Sequence, residues 1–323
     1  MSIEGIDRIV YGVEDMTVCR KFFSDWGLRL KRESTDVIDF ESLNGCEIQL
    51  RRKDDATLPP PMEPGPTLRE LTWGVDSNAD LDRLRRALAG SPGFKDGAEE
   101  IACTDPNGLG LRFRMTQKRK IDMQGVPANV WGRPPQRVDQ PSPIYERAEP
   151  VEVGHVVIFT PHLAEVETYY TQKLGFIVSD RYPGRALFLR CAEYGGHHDI
   201  FFLQLPTGKR GLNHVAFTVR DLHEVFGGGL HISRCGWETE IGPGRHPISS
   251  AYFWYVKCPA GGLTEYFTDE DILTPAWKAR DMEFKPENFA EWGVLGGIDG
   301  HSRRQRSGPV SDAQHTAGQA VRK

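Results

Sequence analysis

The 323-residue sequence lacks several features that would place it in a special class of protein. No apolar run approaches the roughly 20 residues that a membrane-spanning helix requires. The six cysteines include no CxxC pair, which favours buried thiols over disulfides or a zinc site. The N-terminal residues show no basic segment followed by an apolar one. We therefore expect no signal peptide and a cytoplasmic protein.

An excess of positive charge is also absent. The 40 Lys and Arg residues are outnumbered by 45 Asp and Glu residues, which argues against a nucleic-acid partner. The sequence contains neither a GxxxxGK[ST] phosphate loop nor a GxSxG nucleophile elbow. The run Gly227–Gly229 is predicted to be a turn. The apolar content of 39% is typical of a globular protein, and the length favours about two domains.

The sequence repeats itself with a period of nearly half its length. The strand pattern of residues 6–11 recurs at 153–158, and that of 68–75 recurs at 212–219. A helical pattern follows each of these four strands. The pattern predicts four modules, each made of a strand, a helix and further strands.

The modules pair into two halves joined by a segment rich in proline and charge. We predict an N-terminal domain without a metal site (1–115), a linker (116–149) and a C-terminal metal-binding catalytic domain (150–269). Aromatic residues in 270–300 predict an extension that docks on the body of the protein. The small, polar residues of 301–323 predict a disordered tail.

Histidine is distributed very unequally between the halves. The first 154 residues contain none of the ten histidines, and eight lie in the C-terminal half. The repeat alignment places His155 and His214 on equivalent strands, with Glu265 near the end of the last strand. Two imidazoles and one carboxylate form the set that binds non-heme Fe(II) and leaves positions open for substrate and O2. The coincidence of all three favours a metal site over buried structural histidines.

The equivalent positions of the N-terminal half hold Arg8, Glu70 and Arg112. Two guanidinium groups around one carboxylate can form a charge-compensated cluster. We therefore predict a structural role for these three residues.

Several short motifs surround the three C-terminal residues. They are Gly154-His155, Asn213–Phe217, Gly242–His246 (GPGRH), Phe253-x-Tyr255 and Glu265-Tyr266. Together they resemble the type I extradiol ring-cleaving dioxygenases of the vicinal oxygen chelate superfamily, over roughly residues 3–270. The resemblance implies an α+β fold in which four βαβββ modules pair into two open barrels. It also implies that His155, His214 and Glu265 bind Fe(II), or Mn(II).

The resemblance implies catalytic roles for three further residues. His198 matches the acid–base histidine on the strand before the second ligand. Its neighbour His197 must face the other way on a strand, so we expect it at the surface or in a supporting role. His246 and Tyr255 match positions that hydrogen-bond the substrate and the oxygen species. The implied reaction is extradiol (meta) cleavage of a catechol with both atoms of O2, as in the degradation of aromatic compounds.

The expected partners are a small aromatic diol and O2, without nucleic acid or membrane, in a homo-oligomer. Strand alternation predicts that residues two positions from a site residue share its face. It assigns four apolar residues to substrate binding: Val157, Ile200, Ala216 and Phe253. Val157 and Ile241 also stand where a branch acting on carboxylated catechols has Asn and a basic residue. A neutral, hydrophobic catechol is therefore expected.

Three alternative functions share the fold or the ligand set. They are a 2-oxo-acid dioxygenase related to hydroxyphenylpyruvate dioxygenase, a glyoxalase-like isomerase, and a non-catalytic small-molecule binding protein of the bleomycin-sequestering kind. GPGRH together with Tyr255 favours extradiol cleavage. A yellow product formed from a catechol, Fe(II) and air would distinguish that function from the others.

Overall fold

Each half of the chain contains two modules of one strand, one helix and three further strands. The computed structural model describes residues 3–298. The N-terminal half contains β1 (Ile3–Val13), α1 (Met16–Asp25), β2 (Arg29–Glu33), β3 (Val37–Glu41), β4 (Glu47–Arg52), β5 (Thr67–Val75), α2 (Asn78–Leu88), β6 (Lys95–Asp96), β7 (Glu100–Thr104) and β8 (Gly110–Met115).

The C-terminal half repeats this order and then adds short elements. It contains β9 (Glu152–Phe159), α3 (Leu163–Thr168) continued by a π-helical segment (Tyr169–Leu174), β10 (Ile177–Tyr182), β11 (Ala186–Arg190), β12 (Ile200–Leu203), β13 (Gly211–Thr218), α4 (Leu222–Arg234), β14 (Thr239–Arg245), β15 (Tyr252–Lys257) and β16 (Leu263–Thr268). The extension adds β17 (Arg280–Asp281), α5 (Pro286–Phe289) and β18 (Trp292–Leu295).

The strands form two sheets with the same internal order. The first runs β2-β3-β4-β1-β5-β8-β7-β6. The second runs β10-β11-β12-β9-β13-β16-β15-β14, with β17 and β18 added at its two edges. In each sheet the first strands of the two modules are antiparallel neighbours at the centre. The predicted α+β class and the four βαβββ modules are confirmed.

Local sequence signals explain where the helices begin and end. Asp15, Ser77 and Asp221 each precede a helix and accept a hydrogen bond from a backbone N–H of its first turn. After two of the helices, Gly27 and Gly175 adopt positive φ angles of 94° and 79°, which glycine does without strain.

The prediction of a turn at Gly227–Gly229 is wrong, because these residues lie inside α4. A Cβ on Gly229 would lie 2.0 Å from the Trp254 ring, and one on Gly228 would lie 2.7 Å from Ala148. The glycines therefore let the helix pack closely on its surroundings, and this gain outweighs their low helix propensity.

The strand register places corresponding residues of the two halves at corresponding positions. Ala216 on β13 pairs with His155 on β9 and with Glu265 on β16. Thr72 on β5 pairs in the same way with Arg8 and Arg112. The sequence repeat is thus a structural repeat, accurate to single residues.

The two halves share one continuous hydrophobic core. Trp26 stacks on Tyr266 with ring centroids 3.6 Å apart, and the Tyr266 hydroxyl donates to the Trp26 carbonyl at 2.7 Å. Elsewhere between the two halves, Tyr170 donates a hydrogen bond to the buried carboxylate of Asp105.

The connecting and terminal segments differ in how they are placed. Residues 116–149, all within the described range, contain neither helix nor strand. The extension that follows residue 269 docks on the second sheet through β17 and β18. The predicted tail, 301–323, lies outside the described residues. The described range contains all six cysteines, with no disulfide among them. Within it, every helix is too short or too polar to span a bilayer.

Candidate active site

Three strands at the centre of the second sheet bring His155, His214 and Glu265 together. The Oε2 atom of Glu265 lies 3.2 Å from Nε2 of His155 and 3.1 Å from Nε2 of His214. The two Nε2 atoms are 3.3 Å apart, and all three side chains are buried.

The atoms of His214 and Glu265 that meet here are both hydrogen-bond acceptors. Oδ1 of Asn213 lies 2.7 Å from Nδ1 of His214, so Nδ1 carries the hydrogen and Nε2 presents a lone pair. Burial lowers the pKa of His155 to about 4 and also lowers that of His214, which keeps both rings neutral.

This arrangement fits a divalent cation. Three ligands on perpendicular axes, each about 2.2 Å from an ion, lie about 3.1 Å from one another. The observed separations of 3.1–3.3 Å match one face of an octahedron. Both carboxylate oxygens of Glu265 also lack a hydrogen-bond donor in the structure. A cation would satisfy them and leave the opposite face open.

Residues 3–298 hold one other group of potential ligands, formed by His155, His198 and Glu270. The rings of His155 and His198 lie 4.1 Å apart, and Nδ1 of His198 is 3.2 Å from Oε1 of Glu270. Glu270 was not predictable from the sequence, because it follows the end of β16 and belongs to no recognised motif.

His198 faces the site, whereas His197 points to the other side of the chain. His197 is fully buried, so it is not a surface residue. It contacts His198 and the carboxylate of Asp180, which agrees with the supporting role given as the other possibility.

His246 and Tyr255 lie beside the three central residues. Nε2 of His246 is 3.0 Å from the Tyr255 hydroxyl and 3.8 Å from Oε1 of Glu265. Nδ1 of His246 donates to the carbonyl of Phe289, which belongs to the extension. Since a neutral ring donates at one nitrogen only, Nε2 accepts from Tyr255. Burial raises the pKa of Tyr255 well above its ordinary value, so the phenol keeps its proton.

A cavity of about 260 Å³ opens over these residues. Apart from the histidines, Glu265 and Tyr255, its wall is largely aliphatic and aromatic. Phe188 and Phe201 stack in it with centroids 4.1 Å apart. The remaining apolar lining residues are Val157, Leu203, Ile241, Ile248, Ala251, Leu263 and Phe289.

Three of the four residues predicted to bind substrate lie outside this wall. Ile200 packs in the main core, because the alternation shifts by one between His198 and β12, so that Phe201 and Leu203 face the cavity. Ala216 packs with Ala251 and Phe267.

The third such residue is Phe253, which lies against the ring of His246, with centroids 4.2 Å apart. Only Val157 lies where alternation placed it.

No lysine or arginine of the described residues lines the cavity. Arg245, from the GPGRH motif, pairs with Glu291. Arg280 binds Asp180, and Lys278 is exposed. None of these three cations therefore faces the cavity.

Comparison with known proteins agrees with this geometry. Residues 152–271 match the family model of the Glyoxalase/Bleomycin resistance protein/Dioxygenase superfamily. Metapyrocatechase 2 of Cupriavidus necator is 31% identical over 302 residues, covering 90% of this chain and 89% of that protein.

Two solved structures share the fold over nearly the whole chain. The Mn(II)-bound glyoxalase of Novosphingobium aromaticivorans has a TM-score of 0.71 at 23% identity, covering 97% of this chain and 99% of that one. The 2,2',3-trihydroxybiphenyl 1,2-dioxygenase of Sphingomonas wittichii has a TM-score of 0.68 at 16% identity, covering 92% and 100%.

The chain therefore belongs to the glyoxalase, bleomycin resistance protein and dioxygenase superfamily. Within that superfamily it belongs to the extradiol ring-cleaving dioxygenases, as the motifs around His155, His214 and Glu265 predicted.

Proposed function

We propose that this extradiol dioxygenase opens the ring of a neutral, hydrophobic catechol, using Fe(II) held by His155, His214 and Glu265. Both atoms of O2 enter the product, a ring-opened semialdehyde acid. The observation that carries the proposal is the buried set of two imidazoles and one carboxylate beside an apolar cavity. Fe(II) is preferred to Mn(II) because this ligand set is typical of non-heme iron enzymes that use oxygen.

The three ligands would leave one face of the ion accessible from the cavity. When bound, the metal ion brings the catecholate and O2 together and passes electrons from the first to the second. The protein supplies a dry environment around them, since most of the lining is apolar.

His198 is the proposed acid and base. Its Nδ1 is engaged by His197 and Glu270, so Nε2 is the nitrogen left to take a hydroxyl proton from the catechol and to return a proton later. His246 and Tyr255 lie next to Glu265, where the Tyr255 hydroxyl can turn from His246 to donate to a substrate oxygen. We propose that this pair holds the substrate oxygens during the reaction.

The apolar wall supports the choice of substrate. A carboxylate on the ring would lose hydration against Phe188, Ile241 and Phe289 without gaining a cation. An alkyl or aryl substituent would gain about 25 cal/mol for each Å² that it buries.

The test is aerobic turnover by the Fe(II)-loaded protein. Oxygen uptake and the yellow ring-fission product are followed with catechol, methyl- and phenyl-substituted catechols, and carboxylated catechols. We expect one O2 consumed per ring opened, and a kcat/KM at least tenfold higher for the neutral compounds. A tenfold preference for the acids would reject the apolar-pocket argument. Absence of product with every catechol would reject ring cleavage and favour the isomerase or binding alternatives.

A homo-oligomer stays a prediction, which light scattering of the purified protein would test.

A further inference from the structure

A chain of buried polar side chains lies directly behind His198. Nδ1 of His197 is 3.2 Å from Nδ1 of His198, and its Nε2 is 2.8 Å from Oδ2 of Asp180. His197 and Asp180 are both fully buried. Asp180 in turn accepts from Arg280, through the backbone N–H at 2.7 Å to Oδ1 and through Nε at 3.1 and 3.0 Å to the two oxygens.

Arg280, at the far end of this series of side chains, determines which groups donate hydrogen bonds along it. A guanidinium can only donate, so Asp180 accepts on both oxygens. Burial opposes ionisation of Asp180, but hydrogen bonds from His197 and Arg280 hold its pKa below the ordinary value. His197 therefore donates its Nε2 hydrogen to Asp180. Burial lowers the pKa of His197, which favours the neutral ring, and the Nδ1 of that ring is an acceptor.

A second acceptor lies beside the same nitrogen of His198. Oε1 of Glu270 is 3.2 Å from Nδ1 of His198, and a carboxylate without a proton only accepts. That oxygen forms no hydrogen bond within the described residues, so Nδ1 of His197 is the acceptor that this nitrogen bonds.

We infer that Asp180, acting through His197, is a positioning residue that holds His198 in the tautomer with its hydrogen on Nδ1. The lone pair of His198 then lies on Nε2, where it can take the hydroxyl proton. This inference rests on the proposed function, because that function makes His198 the base. A neutral imidazole accepts at one nitrogen only, so the tautomer decides whether His198 can act. Serine proteases use a buried aspartate to orient their histidine in a comparable way.

Asp180→Asn tests the inference with almost no change of shape. Oδ1 accepts from the backbone N–H and Nε of Arg280, whereas Oδ2 faces His197 together with Nε and Nη2 of Arg280. We expect the amide oxygen of the asparagine at the Oδ1 position, because the backbone N–H stays there and Nη2 can keep its bond to the carbonyl of Ile248. The NH2 then faces His197. His197 would then carry its hydrogen on Nδ1 and donate to His198. The hydrogen of His198 would move to Nε2.

Long-range ¹H–¹⁵N NMR of the full chain reports the tautomer without any catechol. The protein is measured metal-free and loaded with diamagnetic Zn(II), and the His198 signals are assigned by their loss in His198→Phe. We expect a protonated Nδ1 in the wild type and a protonated Nε2 in Asp180→Asn. A protonated Nε2 in the wild type, or an unchanged tautomer in the variant, would overturn the inference. A wild type that opens no catechol would reject the proposed function and leave this measurement intact.

Kinetics of the Fe(II)-loaded enzyme give a second readout. We expect Asp180→Asn to lower kcat tenfold or more, with KM and bound iron unchanged. A matched pair at position 197 separates positioning from packing. His197→Asn keeps an acceptor near the Nδ1 position, whereas His197→Gln places its amide near the Nε2 position and offers His198 none. The Asn variant should retain the higher kcat. Equal kcat values in this pair at equal iron content would contradict a positioning role.

Discussion

The two halves of the molecule place three polar side chains at the same register positions but give them different chemistry. In the C-terminal half, two neutral imidazoles face Glu265 across 3.1–3.2 Å. In the N-terminal half, Arg8 and Arg112 donate to the buried carboxylate of Glu70 at 3.2 and 2.9 Å. The ion cluster that the repeat predicted is therefore present. Arg112 also pairs with Glu100.

One backbone arrangement thus holds an ion cluster in one half and the proposed metal site in the other. Guanidinium groups cannot lose their protons, so the N-terminal cluster carries its own counter-charges and needs no cation. The C-terminal set instead places two imidazoles and one carboxylate together without counter-charges, which is the set that we propose for a cation. The three side chains determine which kind of site forms, because the strand pairing around them is the same in both halves. Thr72 in one half and Ala216 in the other pair with the equivalent neighbours.

Among variants that probe the difference between the two halves, Glu265→Ala should have the largest effect. It removes the only negatively charged ligand, so we expect loss of bound iron and a fall in activity to the background rate. Metal analysis after gel filtration and the oxygen-uptake assay measure the two effects. The matched control is Glu70→Ala, at the position equivalent to His214 in the other half, which should keep both iron and activity. Stoichiometric iron in Glu265→Ala would reject the ligand assignment.

His198→Phe should have the second-largest effect, which is a lower kcat. The iron should remain, because none of the three proposed ligands is changed. A general acid or base contributes roughly 10²–10⁴-fold, so kcat should fall by that factor. Stopped-flow turnover at saturating catechol measures it. His223→Phe, an exposed position on α4, serves as the control and should match the wild type. A loss of iron in His198→Phe would instead favour the ligand group that includes Glu270.

The fold and the three central residues were predictable because each leaves a local or repeated signal. Strand and helix periodicity defined the modules, and their alignment paired His155, His214 and Glu265 with N-terminal counterparts. The register of the sheets then placed these residues as the alignment required.

The cavity wall was less predictable, since strict alternation assumes an unbroken strand. The chain shifts by one residue before β12, which turns Ile200 into the core and Phe201 toward the cavity. Phe289 reaches the site from the extension, and Asp180 reaches His197 from a different strand. Such contacts depend on tertiary packing and have no signature in a single sequence.

Glu70→Ala should leave two guanidinium groups facing each other without their shared carboxylate. Removing one partner of a buried ion pair costs about 3–5 kcal/mol, and the partial exposure of both arginines favours the lower end. Urea unfolding at pH 7 measures the change. Glu33→Ala, which removes an exposed pair with Arg20, is the control and should cost less than about 1 kcal/mol. Equal stability of the two variants would show that the N-terminal cluster is not structural.

The smallest expected effect concerns the contact that joins the halves, where Tyr170 donates to Asp105 at 3.0 Å. Burial raises the pKa of Asp105 to about 6, although backbone and Tyr170 hydrogen bonds oppose the shift. The folded state therefore binds this proton more tightly than the unfolded chain does, whose carboxyl titrates near 4. The stabilisation is present below about pH 4 and is lost as the pH rises through 6.

Asp105→Asn has no such titration, yet its amide oxygen can still accept from Leu109 and Tyr170. The free energy of unfolding of the variant, relative to the wild type, should therefore rise by about 3 kcal/mol between pH 4 and pH 6 and stay level above that. Urea titrations at closely spaced pH values measure this difference, in which groups common to both proteins cancel. A difference that does not depend on pH would mean that burial between the halves does not raise the pKa of Asp105.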